Sequence, residues 1–383
     1  MSRRVWLTAA VAAVLASAAA AGNWPQWRGP HGDGTCPEPD LPLKWSETAN
    51  VAWKCPLPDG ASTPAIWGDA IFATGQDGEK LMAYRIDRDS GKVAWSRQVG
   101  SGTVARRERG NRNPRGRQVF NDIHNMASPS PVTDGEVVVF HFGNGDLAAY
   151  DFAGKQLWQH DLQAEHGTYT MWWGHANSPV LAGDLVISVC MQDSLADMPD
   201  KAKVDSYLVA HDKRTGAQRW KTLRNTEAPK EEADSYTTPL LRTVDGRQEL
   251  LVMGGNQLDA YDPATGKQLW YLPGLVGGRT VTGPTLGGGL IFVTRGKKAP
   301  LVAVRATGAG RLGPESIVWE QTKGTADSSS LVYHDGLLFW VTDNGILNCV
   351  DAATGKSQWD NQPHLRGNFK ASPIVAAGRV YFL

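Results

Sequence analysis

The sequence has little cysteine and no excess of either charge. Four cysteines are scattered among 383 residues without a C-x-x-C spacing, which excludes the common cysteine-ligated zinc sites and thioredoxin-like motifs. Lys plus Arg and Asp plus Glu number 39 each, so no overall field attracts nucleic acid or anionic membrane. We therefore expect no nucleic-acid partner and no metal site. We expect the cysteines to be buried free thiols.

Long apolar runs are also missing after the first 21 residues, so no later segment is expected to cross a membrane. At the start, Arg3 and Arg4 precede an apolar stretch and an alanine-rich run that ends at Ala21. This order is typical of an export signal, with an uncleaved membrane anchor as the alternative. We predict a signal peptide at 1–21. The mature chain is then exported to the periplasm or cell envelope without an integral membrane span.

Motifs for the common kinds of catalysis are absent as well. No nucleophile–base pair is recognisable, and no glycine-rich loop leads from a strand into a helix as a phosphate site requires. Gly287–Gly289 falls where a turn between two strands is expected. The sequence therefore names no catalytic residue.

One phrase is repeated six times, most clearly as AYDPATGKQLW at 260–270. Each copy ends in a tryptophan, and successive tryptophans are 63, 62, 50, 49 and 40 residues apart. Between them recur short strand signals such as SPV and EVVVFHF, separated by Asp-Gly and Gly-Lys corners that favour tight hairpins. The pattern predicts an all-β propeller built of four-stranded blades.

The first strands of the blades are expected at STPAI (62–66) and its counterparts, and the second strands at AIFAT (70–74) and its counterparts. Residues 50–57, with Trp53, look like an outermost strand that closes the ring from the N-terminal side. Because 370–383 supplies only two strands, the chain is expected to stop within a blade. We predict eight blades when the ring is complete, with seven as the alternative. The domains are then a signal peptide (1–21), an N-terminal arm (22–49) and the propeller (50–383).

The repeated tryptophans are interpreted as structural. A tryptophan on a twisted outermost strand buries a large apolar area, about 150–250 Å², against the neighbouring blade. We expect this docking role for Trp53, Trp95, Trp158, Trp220, Trp270, Trp319 and Trp359.

The phrase A-x-D-x-x-T-G-x-x-x-W resembles the tryptophan-docking repeat of pyrroloquinoline-quinone (PQQ) propellers, over essentially all of 50–383. The leader NWPQWRGPHGDGT (23–35) resembles the opening of exported PQQ-like repeat proteins of planctomycete-type bacteria. The resemblance implies one of two roles: a quinoprotein dehydrogenase that binds PQQ and calcium, or a scaffold of the BamB type. The chain lacks the adjacent cysteine pair of many quinoproteins, and near its predicted start at Gly22 it lacks the lipid-accepting cysteine of BamB.

Residues just before each first strand should surround the mouth of the axial channel, where loops of a propeller commonly bind ligands. They include two histidines without a metal-binding spacing. Caps of loop backbone and contacts to a ligand or partner are both possible roles. The candidates are Asn121, Asp122, His124, Asn125, Trp172, Trp173, His175, Tyr236, Arg279, Asp327 and Lys370.

An arginine-rich insertion at 105–117 joins blade 1 to the mouth segment of blade 2. It is expected either to grip an acidic protein, polysaccharide or lipid head group, or to be a solvated loop. Its arginines are Arg106, Arg107, Arg109, Arg112, Arg115 and Arg117.

The sequence favours a non-catalytic scaffold or recognition module in the periplasm or cell envelope, with a protein partner and no cofactor. The first alternative is a PQQ-dependent alcohol or sugar dehydrogenase with PQQ and Ca²⁺. The second is a carbohydrate-binding propeller, in which Trp172 and Trp173 would be stacking platforms for a glycan.

Overall fold

The computed structural model describes residues 22–39, 41–106, 118–192 and 204–383. The predicted signal peptide and the arginines Arg107, Arg109, Arg112, Arg115 and Arg117 lie outside these ranges. Within them the chain forms seven sheets, four of which have four strands, one five and two three. Consecutive strands pair antiparallel in each blade, so the prediction of a propeller with four-stranded blades is confirmed. The number of blades in a complete ring stays a prediction.

The blades follow one another along the chain, each from its innermost to its outermost strand. β1 (Thr35–Cys36) lies in the arm. Blade 1 contains β2 (Ala65–Trp67), β3 (Ala70–Asp77), β4 (Lys80–Asp87) and β5 (Val93–Ser101). Blade 2 contains β6 (Val132–Thr133), β7 (Val138–His141), β8 (Asp146–Tyr150) and β9 (Gln156–Asp161), and the short helix α1 (Leu162–His166) follows it. Blade 3 contains β10 (Val180–Ala182), β11 (Leu185–Cys190), β12 (Tyr207–Asp212) and β13 (Gln218–Leu223).

The second half repeats the plan with small additions. A 3-10 turn at Lys230–Glu232 precedes blade 4, which contains β14 (Leu240–Val244), β15 (Arg247–Gly254), β16 (Gln257–Tyr261) and β17 (Gln268–Pro273). Blade 5 contains β18 (Thr285–Gly287), β19 (Leu290–Thr294) and β20 (Leu301–Val304). Its outermost strand is β22 (Ile317–Gln321), which pairs with β20. Between β20 and β22 the chain forms β21 (Gly310–Arg311), which pairs with β17 of blade 4, and a 3-10 turn at Pro314–Ser316. Blade 6 contains β23 (Val332–His334), β24 (Leu337–Val341) and β25 (Leu347–Asp351), and the last sheet contains β26 (Ile374–Ala376) and β27 (Arg379–Tyr381).

The repeated phrase forms a bulged hairpin between the third and fourth strands. In blade 4, Ala260 pairs with Trp270 and the next residue, Tyr261, pairs with Gln268, so one residue is skipped. At the turn, Gly266 has φ +71°, a conformation that favours glycine. The bulge sets the twist of the outermost strand and places its tryptophan beside the next blade.

The tryptophan rings lie on the turn glycines of the following blades. The indole N–H of Trp158 donates to the Lys213 carbonyl at 2.9 Å, and a Cβ added to Gly216 would lie 2.7 Å from that ring. The indoles of Trp53, Trp95, Trp220 and Trp319 donate in the same way, at 2.9–3.1 Å, to the carbonyls of Arg88, Phe152, Pro263 and Ala352. Two tryptophans differ. The indole of Trp270 donates to Glu249 at 3.1 Å, and the ring of Trp359 packs 6.4 Å from Phe339.

The first strands lie where the sequence predicts them but begin two to four residues later. STPAI was expected from residue 62, whereas β2 begins at Ala65. Proline has no N–H for a ladder. The N–H of the preceding residue, Thr63, bonds to Ser130 of the next blade instead. These residues therefore join blades rather than extend strands.

The predicted strand at 50–57 is wrong. Residues 51–64 contain no strand, and among the described residues no strand lies beside them to supply a ladder. Trp53 nevertheless occupies the docking position on Gly91, whose added Cβ would lie 2.4 Å from the ring. The strand that reaches the last sheet from the N-terminal side is β1, which pairs in parallel with β26.

The core lies between neighbouring blades, where their apolar faces meet. Between blades 1 and 2, for example, the ring of Phe72 lies 6.2 Å from Phe140 and 6.1 Å from Trp95. All four cysteines fall in the described ranges and are free; Cys190 and Cys349 are buried and Cys36 and Cys55 half-buried. No helix within the described ranges is long and apolar enough to span a membrane.

Candidate functional site: the axial cavity and its mouth

The innermost strands surround a cavity of about 580 Å³ on the propeller axis. Its wall consists mainly of small and hydroxyl side chains, because the innermost strands converge and leave little room. The residues that line it from successive blades include Ala61, Thr63, Ser128, Ser130, Ala176, Ser178, Tyr236, Thr238, Val281, Ser328, Ala371 and Ser372.

Hydroxyl groups of this wall link the blades in sequence. The backbone N–H of Thr63 donates to Ser130 Oγ at 3.0 Å, and that of Ser130 donates to Ser178 Oγ at 2.9 Å. The N–H of Ser178 then donates to Thr238 Oγ1 at 3.1 Å. Gly283 has no hydroxyl, so the series is interrupted at that position. It resumes with the N–H of Gly283, which donates to Ser330 Oγ, and the N–H of Ser330, which donates to Ser372 Oγ, both at 2.9 Å. The recurring Ser-Pro and Thr-Pro pairs therefore satisfy backbone donors around the axis.

The N-terminal arm forms the floor of the cavity. Trp24 makes a two-way backbone bridge with Ile66, at 2.9 and 2.8 Å, and the Pro25 carbonyl accepts from Thr133 at 2.9 Å. Farther along, the Gly34 carbonyl accepts from Val375 at 2.8 Å. The arm thus contacts blades 1 and 2 and the last sheet. It covers the end at which each first strand turns into its second, opposite the mouth.

Arg28 is the buried cation of this floor. Its side chain lines the cavity, donates to the Asp33 carbonyl at 3.1 Å and approaches Thr285 Oγ1 at 3.5 Å. Burial lowers the pKa of Arg28 to about 10, and the nearby Asp33 carboxylate partly opposes this shift. The guanidinium is therefore charged at neutral pH, and the floor of the cavity is positive.

At the mouth, blades 3 to 6 contribute one connected polar network. The Trp173 indole donates to Glu231 at 2.8 Å, and the Trp173 backbone N–H donates to the Tyr236 hydroxyl at 3.1 Å. The Tyr236 hydroxyl donates to Asp234 at 3.0 Å, which also accepts from the Trp172 backbone N–H at 3.1 Å. This network fixes the loops of blades 3 and 4 against each other.

The network continues through an ion pair between blades 5 and 6. Arg279 lies 3.3 Å from Asp327 and 3.7 Å from Glu231, with its guanidinium 5.1 Å from the centre of the Trp173 ring. Burial raises the pKa of Asp327, and Arg279 opposes that shift. Lys370, from the last sheet, pairs with Asp343 and lies 3.4 Å from Ser328 Oγ.

The candidates of blade 2 meet this network at Trp173. His124 bonds through Nδ1 to Ser128 at 2.9 Å and through Nε2 to the Trp173 carbonyl at 2.6 Å, and burial lowers its pKa. Asn125 donates to the Asp59 carbonyl at 2.9 Å. Arg106 donates to the carbonyls of Asn121 and His124, both at 2.5 Å, while Asp122 is exposed.

His175 does not lie on the rim. It is fully buried beside His141, with the two ring centroids 4.6 Å apart, and 5.0 Å from Tyr169. The sequence placed it at the mouth because it precedes a first strand by the usual spacing. The glycine before it, Gly174, has φ +85° and packs on Phe120, so the chain turns inward at that point.

Sequence reasoning missed the arm as the cavity floor, with Arg28, and the role of Glu231 and Asp343 in the rim. The Ser-Pro and Thr-Pro repeats carried a signal for the hydroxyl series, since a hydroxyl precedes proline in most blades. No comparable signal marks Arg28, because the contact that places it at the axis is with Thr285, 257 positions away.

Repeated four-stranded blades, a small-residue axis and tryptophans docked on glycine turns define the class of the protein as a PQQ-like β-propeller. The family model described as outer membrane protein assembly factor BamB matches residues 42–200, 204–312 and 309–383. The chain belongs to this family. No curated protein sequence matches it.

Two solved structures illustrate the range of similar folds. BamB from Moraxella catarrhalis is 16% identical with a TM-score of 0.53, over 82% of this chain and 76% of that one. A europium-containing methanol dehydrogenase is 15% identical with a TM-score of 0.59, over 85% and 74%. At such identities the likeness establishes the propeller fold alone, and function has to be argued from the site.

Proposed function

We propose that the protein is a non-catalytic propeller of the cell envelope that binds a partner protein through its mouth face. One observation carries the proposal: Arg279 and Lys370 of the mouth are paired with Asp327 and Asp343, while apolar side chains on the same face are exposed. Such a face combines exposed apolar side chains with polar groups held in place by their neighbours. Protein interfaces commonly combine an apolar centre with a polar rim in this way.

The carboxylates of the rim already bind neighbouring side chains. Asp327 faces Arg279, Asp343 faces Lys370, and Glu231 holds the Trp173 indole. General acid–base catalysis needs a group that can reach a substrate proton and exchange it. Here each of these carboxylates already fixes a neighbouring loop, which supports a binding surface rather than a reaction centre.

The apolar residues stand on loops or strand ends of the mouth face. An outermost strand ends on the face where the next innermost strand begins, so Ile123, Leu223 and Val276 open on the same side as the rim. They are exposed by 70, 55 and 55%. Apolar anchors of this kind supply much of the binding energy when a partner removes them from water.

Family membership supports the same role. The matching family is described as an outer membrane protein assembly factor, and the solved BamB shares the fold. A protein partner in the envelope, and export by the segment at 1–21, are the corresponding parts of the proposal.

A bound calcium ion, which the resemblance to quinoprotein dehydrogenases implies, does not fit the mouth. Calcium takes about six to eight oxygen ligands, several of them carboxylates. Among the described residues no group of three His, Cys, Asp or Glu side chains converges at the mouth. Two acids of the rim, Asp327 and Asp343, each carry a cationic partner that the ion would have to displace. The dehydrogenase alternative therefore has less support than the scaffold.

The glycan alternative also has less support. A sugar stacks on an open aromatic face. Arg279 lies over the ring of Trp173, and Glu231 binds its indole N–H. Both contacts would have to break before Trp173 could serve as a platform.

Site-specific photo-cross-linking in the native envelope tests the proposal. A photoreactive residue at position 123 or 276 should form an adduct with one protein, and Ile123→Asp or Val276→Asp should weaken its recovery about tenfold or more. Val93 and Val318, exposed by 43 and 41% on outermost strands, provide matched control positions away from the mouth. Equal adducts at all four positions, or none at the mouth, would overturn the proposal.

A further inference from the structure

A second cluster lies between blades 2 and 3. His160 on β9, Glu165 in α1 and His211 on β12 each offer a metal-binding atom, and these atoms all lie within 4.8 Å of one another. Among the described residues this is the only such group of three. The two rings lie 4.3 Å apart between centroids, at 29°. The cluster belongs neither to the mouth nor to the axial cavity.

The proton positions on His160 are determined by its neighbours. Its Nε2 lies 2.8 Å from the Gly216 carbonyl, which can only accept, so Nε2 carries a proton. Its Nδ1 lies 2.7 Å from Glu165 Oε1. In the neutral ring Nδ1 therefore carries a lone pair and no proton, and it faces the Glu165 carboxylate. A histidine held by a backbone carbonyl through one nitrogen, with the other presented, is the usual arrangement of a metal ligand.

His211 supplies the independent observation. It is fully buried, and neither of its ring nitrogens has a hydrogen-bond partner within the described residues. Burying an imidazole without partners costs free energy that a metal bond or a hydrogen bond would offset.

We propose that His160, Glu165 and His211 bind a divalent first-row transition metal, of which zinc is the best match. Two imidazoles and a carboxylate suit zinc, which also leaves a fourth position for water. Bonds of about 2.0–2.2 Å place tetrahedral ligand atoms about 3.3–3.6 Å apart. Binding therefore lengthens the 2.7 Å contact between His160 and Glu165 and turns the stacked rings so that their lone pairs converge on the ion.

The location allows the ion to enter and gives it a structural effect. The side chains of His160 and Glu165 are 21 and 37% exposed, so the site opens to solvent, with His211 behind it. The ligands come from two neighbouring blades, so the metal would cross-link them and stabilise their junction.

Calorimetric titration of the untagged full-length protein with Zn²⁺, together with Co²⁺ absorption and thermal denaturation, tests the site. We expect one equivalent to bind, a tetrahedral Co²⁺ spectrum, and a higher melting temperature with Zn²⁺. Glu165→Gln and His160→Gln should each weaken binding by more than about tenfold.

His334 provides the matched control. It is half-buried and pairs with exposed Asp335 at 3.4 Å, without a third ligand, so His334→Gln should leave Zn²⁺ binding unchanged. Since Glu165 is on the surface, its variant should fold normally, which circular dichroism can verify. Absence of stoichiometric binding, or equal loss in the His334 variant, would show that His160 and Glu165 form only an imidazolium–carboxylate pair, and would overturn the proposal.

Discussion

The indole N–H of Trp158 donates to the backbone carbonyl of Lys213, 2.9 Å away in the next blade. The ring of Trp158 at the same time covers Gly216, the turn glycine of that blade. One side chain thus joins two blades through a hydrogen bond and an apolar contact. Four other tryptophans repeat the bond, so the repeated phrase of the sequence doubles as the device that holds the propeller together.

At Trp158 the contribution of the hydrogen bond to stability can be measured separately from that of ring packing. Trp158→Phe keeps an aromatic ring but leaves the Lys213 carbonyl without its donor, which should lower the free energy of unfolding by about 1–3 kcal/mol. Trp359 serves as the control, since its indole makes no hydrogen bond within the described residues and Trp359→Phe should cost less than about 0.5 kcal/mol. Urea denaturation of both variants measures the difference, and equal losses would count against the bond.

The docking glycine is tested in blade 4. A Cβ at Gly266 would lie 2.5 Å from the Trp220 ring, whereas one at Gly246 would meet nothing within 4 Å. Both glycines have similar positive φ, +71° and +77°. Gly246→Ala should therefore show only the backbone strain, about 1–2 kcal/mol. Gly266→Ala should add about 1–3 kcal/mol of overpacking. Denaturant midpoints compare them, and similar values would refute docking at this turn.

The hydroxyl series around the axis gives a third prediction. Ser178→Ala removes the acceptor of the buried Ser130 N–H and should destabilise the protein by about 1–3 kcal/mol. Ser188 is equally buried, but its hydroxyl has no partner in the described part of the chain. Ser188→Ala should therefore be neutral or slightly stabilising. Equilibrium unfolding in urea distinguishes the two, and a reversed order would contradict the series.

Stability should fall on acidification because of the buried histidines. His141 is fully buried and its pKa is lowered to about 3, so it stays neutral in the fold while the unfolded chain binds a proton near pH 6.5. Stability is therefore lost as the pH falls from about 6.5 towards 3, by about 2 kcal/mol per such histidine at pH 5. In His141→Phe this part of the loss from pH 7 to pH 5 should disappear, whereas the same change at half-buried His334, His334→Phe, should retain it. An unchanged pH profile for His141→Phe would contradict the assignment.

Much of the fold was predictable because its signals are local. The bulged hairpin of each repeated phrase, with the glycine of its own turn and the tryptophan that follows, spans only about a dozen residues. The prediction of a strand at 50–57 was wrong because a strand needs a neighbouring strand to pair with. The apolar sequence around Trp53 does not show whether such a neighbour exists. The docking of Trp53 on Gly91 depends only on the ring and was preserved.

The site was less predictable because its contacts connect distant parts of the chain. The rim was found from the spacing before first strands, and that rule failed at His175, where the chain turns inward. Two contacts of the arm place Arg28 at the axis: the pairing of β1 with β26 and the backbone bridge between Trp24 and Ile66. Neither contact produces a periodic pattern in the sequence. His160 and His211 are 51 positions apart in sequence, and only the packing of blades 2 and 3 brings them together.

The most direct test of the account is titration of the protein with PQQ and Ca²⁺, followed by absorbance and by dye-linked oxidation of alcohols and sugars. The account predicts no saturable binding at micromolar PQQ and no turnover, because the mouth carboxylates are paired with Arg279 and Lys370. Saturable binding with turnover, lost in Asp327→Asn, would contradict it and make the mouth an active site.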